Sequence, residues 1–191
     1  METKPYHHGD LRTVMIEKGI EFIDEHGAKS LSLRKIAAAC GVSHAAPYRH
    51  FASKEELLSA IEKYISGKFA TALKEAVGDA GVTTEGLIEL CYAYAMFFVR
   101  NPEYYRFIVF HAGIEAGNGQ EYEPYDFFRG FILKLLETTD YPKETWPQIF
   151  YAQWAMMHGL ASIGILMDEE EIHVIEKYVR DILSNNYLII K

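Results

Sequence analysis

The sequence predicts an all-α fold of about nine helices, with a helix-turn-helix head followed by a longer helical-bundle body. Three observations carry that prediction. Apolar residues recur at i, i+3, i+4 and i+7, as in Leu33, Ile36, Ala37 and Cys40, which places them on one helix face. Gly and Pro interrupt these runs at helix-length intervals. No stretch of useful length alternates apolar and polar residues in the manner of a half-buried strand.

Asp10 can cap a first helix running to about Glu25, with Leu11, Val14, Met15, Ile20, Phe22 and Ile23 as its apolar residues and Gly27 at its stop. Gly19 inside it costs about 1 kcal/mol against Ala, so either another helix packs closely there or the first helix is weak. Ser32 offers its hydroxyl as cap of the second helix. Ser43 or His44 starts a third that reaches Phe51, and Pro47 near its first turn limits how early it can begin. Ser53 and Glu56 form a capping box that opens a long fourth helix to about Val77, ended by Gly78 and Gly81. After residue 82, Lys and Arg thin out and aromatics become dense. Thr83 or Thr84 starts a helix through Leu87, Leu90, Cys91, Tyr94, Phe97 and Phe98, and Asn101-Pro102 breaks it. The next covers about residues 103–112, and the glycines of 113–124 read as a loop. Two more helices cover about 125–138 and 144–167. Asp168 caps the last, through Ile172, Ile175, Val179, Ile182, Leu183 and Tyr187.

A chain of 191 residues that is 49% apolar can bury a sizeable core, as one domain or two small ones, and is not of disordered composition. No apolar run reaches about 18 residues, and the opening METKPYHHGD lacks the apolar core of a signal peptide. A cytoplasmic protein with no membrane partner is expected. Cys40 and Cys91 fall on apolar helix positions and read as two reduced core thiols.

The net charge of −8 argues against nucleic acid only if it is taken over the whole chain. Residues 1–60 hold eight Lys or Arg, eight Asp or Glu and five of the eight His, while the remainder holds 11 basic and 19 acidic residues. Within that neutral head, the stretch between Glu25 and Glu55 has no acid at all but carries Lys29, Arg34, Lys35, Arg49 and Lys54. Residues 32–54, SLRKIAAACGVSHAAPYRHFASK, hold two short helical patterns separated by Gly41-Val42-Ser43. That is the helix-turn-helix arrangement, whose second helix enters the major groove. A basic face on an acidic body suits local docking on DNA.

The run Ser32-Leu33-Arg34-Lys35-Ile36-Ala37, then Gly41-Val42-Ser43, Tyr48-Arg49-His50-Phe51 and Ser53-Lys54-Glu55-Glu56-Leu57-Leu58, resembles the tetracycline-repressor (TetR) family. The resemblance gives a DNA-binding domain at residues 7–65, with the helix-turn-helix at about 32–51, and a ligand-binding and dimerisation domain at 82–191. Ala45-Ala46-Pro47 replaces the commoner small-Thr-Leu run, a variant found in one branch of the family. Trp154, His158 and Gly159, in WAMMHGLAS, look like the signature of that branch's WHG-type C-terminal domain. The resemblance implies a homodimeric transcriptional regulator whose partners are operator DNA, a second copy and a small-molecule effector. It makes Tyr48 and Lys54 phosphate contacts with His50 beside them, sets Ser32 and Arg34 on the DNA backbone, and brings Ser43, His44 and Ala45 to bases or phosphates.

The residues allow other roles as well. Lys54, in the first turn of the fourth helix where N–H groups also attract anions, could be a solvated surface lysine. Tyr48 could be a core aromatic, and His50 could pack against the first helix. Phe51 reads as core. Ala45 and Ala46 can offer only apolar contact, for example to thymine methyls, so base readout would fall to His44, Arg49 and Arg34.

In the body, Tyr94, Phe98, Phe107, Phe127, Phe131 and Trp154, with His111 and His158 as polar groups, are the candidates for lining an apolar or aromatic ligand site. Most of the body's aromatics read as core, and a minority as lining a cavity. No His or Cys pair sits at metal-ligand spacing, so no metal and no cofactor is expected. Ile149, Trp154, Met157, Leu160 and Ile163, with Ile172, Ile175, Val179 and Ile182, carry apolar groups on more than one face and suit a four-helix dimer interface. The alternative is a monomer with a buried C-terminal hairpin. No nucleophile elbow, phosphate loop or dinucleotide fingerprint supports catalysis. The rival to a regulator is a small-molecule-binding protein or enzyme with a vestigial DNA-binding head.

Overall fold

The structure, a computed structural model, describes residues 11–109, 123–184 and 190. Among these residues there are eight α-helices: α1 Leu11–His26, α2 Leu33–Ala39, α3 Lys54–Val77, α4 Thr84–Val99, α5 Pro102–Phe107, α6 Glu123–Leu136, α7 Trp146–Gly164 and α8 Ile172–Ser184. The fold is all-α, as expected. The ninth expected helix, over residues 44–51, is instead a turn followed by a single 3₁₀ turn at Pro47–Arg49. Asp10, most of the loop expected at 113–124, and Tyr187 lie outside the described residues.

The described residues fall into two compact units, one of residues 11–65 with 103–109 and the other of 66–102, 123–184 and 190. The chain passes from the first to the second within α3. In the first unit, Gly27 at φ +75° stops α1, and its N–H reaches the Ile23 carbonyl at 2.8 Å. The Ser32 hydroxyl caps α2 by accepting from the Lys35 N–H at 3.3 Å. The capping box at α3 is present with a one-residue extension. Ser53 Oγ accepts from the Glu56 N–H at 3.2 Å, while the Glu56 carboxylate reaches back to the Ala52 N–H at 2.6 Å. Met15, Ile16, Ile20, Ile36, Phe51, Leu57 and Ile61 fill the core between these helices. The choice posed by Gly19 is decided in favour of close packing, because a Cβ there would stand 2.8 Å from Ile61 Cδ1. Residues of α5 belong to this unit, where Arg106 holds Asp24 of α1 through two contacts of 2.5 and 2.7 Å.

The second unit is built around α4, which buries Leu87, Leu90, Cys91, Tyr94, Ala95, Met96, Phe98 and Val99 and packs against α6, α7 and α8. Thr83 caps it by accepting from the Gly86 N–H at 3.1 Å. Polar pairs tie its outer edge to α8. Arg180 meets Glu89 at 2.9 Å and lies over the Tyr92 ring, and Arg100 meets Glu176 at 3.0 Å. Among the described residues no helix is long and apolar enough to cross a membrane.

Two glycines separate steric from conformational need. A Cβ on Gly86 would lie 2.0 Å from the Gly81 carbonyl oxygen and 3.2 Å from Phe131, whereas one on Gly130 would meet nothing within 4 Å. Gly86→Ala is therefore expected to destabilise the protein by about 3 kcal/mol through overpacking. Gly130→Ala, in the α6 interior, should stabilise it by up to about 1 kcal/mol. Urea unfolding midpoints of the two variants check both signs.

Candidate nucleic-acid interface and buried polar cluster

Pro47 explains why residues 44–51 do not form an α-helix. It has no N–H to return to the Ser43 carbonyl, and that carbonyl instead accepts from Ala46 N at 2.9 Å. Arg49 and His50 likewise bond three residues back, to Ala46 and Pro47, at 3.2 and 2.9 Å. Ladder spacing returns only with Phe51, whose N–H reaches the Pro47 carbonyl at 2.9 Å. Two anchors, Pro47 and Phe51, are buried; between them Tyr48 and Arg49 are exposed and His50 is half-buried.

Ser43, His44, Ala45 and Arg49 are exposed, as is Arg34 on α2. Tyr48 is 56% exposed, which excludes the core-aromatic reading. His50 is half-buried, with its ring 6.4 Å from that of Phe51. Two lysines of the basic stretch are held by backbone carbonyls of the turn before α2: Lys35 Nζ donates to Ser30 O at 2.8 Å and Lys54 Nζ to Lys29 O at 3.2 Å. Lys54 is accordingly half-buried, not a freely solvated side chain. Arg34 and Arg49 form no ion pair among the described residues and leave their charge open. Cys40, at the C-terminal end of α2, is half-buried where a core thiol was expected; Cys91 is fully buried, and both are free.

In the second unit the candidate ligand residues divide by burial. Tyr94, Phe98 and Phe131 are buried, while Phe127, Trp154 and His158 are half-buried. Phe107 is buried in the first unit, apart from this group, and His111 lies outside the described residues. Tyr94, Trp154 and His158 form a hydrogen-bonded cluster between α4 and α7. Trp154 Nε1 lies 3.1 Å from Tyr94 Oη, which lies 2.6 Å from His158 Nε2. An indole N–H can only donate, so the Tyr94 oxygen accepts from Trp154 and its own proton is available to His158. Burial pushes the His158 pKa down to about 4 and keeps the ring neutral. Next along the seam, Gln153 Nε2 donates to Cys91 Sγ at 3.3 Å. Sequence reasoning passed over Gln153, because a single polar residue in an apolar helix gives no signal of the face it occupies. Among the described residues no group of three His, Cys, Asp or Glu could hold a metal ion.

This arrangement, a helix-turn-helix head joined through one long helix to a helical body, defines the class. Residues 15–61 match the family model of bacterial regulatory proteins, tetR family. The whole fold is similar to that of a TetR-like transcriptional regulator from Rhodococcus sp. RHA1, at 16% identity, TM-score 0.72 and coverage of 96% of this chain and 98% of that one. It is also similar to the fatty acid degradation regulator FadR from Bacillus halodurans, at 16% identity, TM-score 0.69 and the same coverage. At these identities the likeness is one of fold. The nucleoid occlusion factor SlmA of Escherichia coli K12 is 33% identical over 86 residues, 45% of this chain and 43% of that protein. The chain thus spans less than half the length of the curated relatives it matches.

The neutral buried His158 makes stability depend on pH. Its pKa is about 4 in the folded chain against 6.5 in the open one. As pH falls through 6.5 the unfolded chain takes up a proton that the folded one does not, so stability falls between pH 6.5 and 4 and levels off below. From pH 7 to pH 5 this group alone should remove about 2 kcal/mol. Urea unfolding at the two pH values should show that loss in the wild type and its absence in His158→Gln.

Proposed function

We propose that the protein is a DNA-binding transcriptional regulator, a repressor released from a pseudo-palindromic operator by a small molecule. The observation that carries this reading is the exposed, acid-free basic face of residues 26–54 lying within the segment that matches the tetR family. Residues 7–65 are the DNA-binding domain and 82–191 the ligand-binding and dimerisation domain. Ser32, Arg34, Ser43, His44, Ala45, Tyr48, Arg49, His50 and Lys54 form the DNA face. Phosphate contacts position it, and the few groups with open donors, Arg34, His44 and Arg49, carry base readout. The family model that the head matches is one of bacterial regulatory proteins.

The regulator is a homodimer. Along α7 the exposed residues Tyr151, Ala152, Ala155, Gly159 and Ile163 form one stripe, continued by Leu166, which is 83% exposed. A Cβ on Gly159 would meet nothing within 4 Å, so no contact among the described residues accounts for a glycine that costs its helix about 1 kcal/mol. Close approach of the same stripe from a second copy accounts for it. Trp154, His158 and Gly159 also support the WHG-type branch. Two-fold symmetry sets the recognition segments about 34–36 Å apart, one DNA turn. An effector bound in the body favours a dimer with a different head spacing, a coupling of about 1–3 kcal/mol.

The test is binding of the purified protein to DNA from upstream of its own gene, at several salt concentrations, against a scrambled duplex. Equal affinity for both would end the repressor reading. Lys54→Ala should weaken binding to all sequences alike and flatten the salt slope by about one unit; a changed sequence preference would assign Lys54 to base readout instead. Ile163→Glu combined with Leu166→Glu should shift the protein from dimer to monomer in sedimentation velocity. A variant that stays dimeric would place the interface elsewhere.

A further inference from the structure

We propose that the side-chain amide of Gln153 is the recognition group for an uncharged, largely aromatic small molecule carrying one O–H or N–H donor, bound between α4 and α7. The inference deepens the effector reading above and rests on it. Gln153 is 0% exposed, the one polar or charged side chain fully buried among the described residues. Its Nε2 is engaged by the Cys91 sulfur, a weak acceptor, and its Oε1 has no hydrogen-bond partner among the described residues. A buried carbonyl left unpaired lowers stability, and methionine would fill the same length of space without that loss. The position therefore carries an acceptor that folding alone does not use.

Trp154 Nε1, Tyr94 Oη and His158 Nε2 are joined to one another, whereas Gln153 Oε1 is open. Tyr94 and Cys91 lie one turn apart on α4, and Gln153, Trp154, Met157 and His158 lie on adjoining turns of α7, so the open carbonyl sits beside the cluster. On the same seam the rings of Tyr94, Phe128, Phe150 and Trp154 follow one another at centroid distances of 5.5–6.3 Å, and His158 stands 5.3 Å from Tyr94. Burial holds His158 neutral, and it raises the Cys91 thiol well above its usual range. Among the described residues the polar groups of this seam carry no charge to meet a carboxylate or phosphate, which favours an uncharged aromatic alcohol or amine as the ligand class.

The experiment uses the full chain and two probes, 4-ethylphenol and 4-ethylanisole, in which the phenol donor is replaced by a methyl ether. Calorimetric titration of the wild type should show the phenol binding about tenfold more tightly, since a site built to meet a donor rejects the analogue that lacks it. In Gln153→Met that ratio should fall to about one, and the unliganded variant should melt about 3 °C higher; Gln153→Leu serves should the first variant fail to fold. Equal binding of both probes by the wild type, failure of the phenol to bind, a ratio unchanged in the variant, or a lower melting temperature in it would each overturn the proposal. DNA binding measured with saturating 4-ethylphenol separates the two readings. A tenfold preference at Gln153 with unchanged DNA affinity leaves the site standing and removes the effector reading; a ratio of one with DNA release by other compounds does the reverse.

Discussion

A helix that is apolar on nearly every side has to be surrounded, and α4 is that helix. Its buried residues run from Gly86 to Val99 and leave little of its circumference facing water. The surrounding helices α6, α7 and α8 are amphipathic, and each supplies one covering face. Close approach fixes the small residues at the contacts. Gly86 admits no Cβ against the Gly81 carbonyl, and a Cβ on Gly164 would stand 2.4 Å from Val99. Charges are kept to the rim, where Glu89–Arg180 and Arg100–Glu176 join α4 to α8 in partial contact with solvent. Such exposed pairs contribute little to stability, and they fix orientation more than they hold the unit together.

The same burial gives the polar groups on the α4–α7 seam their character. A Tyr, a His and a Trp placed in water would compete with solvent for every hydrogen bond. Out of it, Trp154 Nε1, Tyr94 Oη and His158 Nε2 are joined in one chain of hydrogen bonds, and the imidazole loses its charge. Gln153 next to them is the exception, because its amide is only half met by a thiol. A seam that is apolar, that carries no charge among the described residues and that holds one open acceptor is what selective recognition of a small neutral molecule needs.

The head follows a different logic, since its working surface has to stay open. Its hydrophobic core closes with Phe51 and with α1 drawn against α3 at Gly19. Lys35 and Lys54 tie down the carbonyls before α2, leaving Arg34, Arg49, His44 and Tyr48 outward. Pro47 reduces the recognition segment to a short turn between two buried anchors. Its side chains are thus positioned by the ends of the segment and not by an internal helical ladder.

Much of this was legible in the residues alone. Capping by Ser32, Ser53 and Thr83, stops at Gly27 and Gly81, and apolar periodicity are local signals, and local geometry decides them; the helices, the basic stretch and the all-α class follow. The sequence by itself also showed that Pro47 limits the third helix, though not that the segment would become a 3₁₀ turn, because that depends on which carbonyls the remaining N–H groups reach. Tertiary structure decided what depends on neighbours distant in the chain. Whether Tyr48 faces water, whether Gly19 meets another helix and which of the body's aromatics stand together all turn on residues tens of positions away. Gln153 is the clearest case: only packing α7 on α4 takes its amide out of water and leaves one atom of it unanswered.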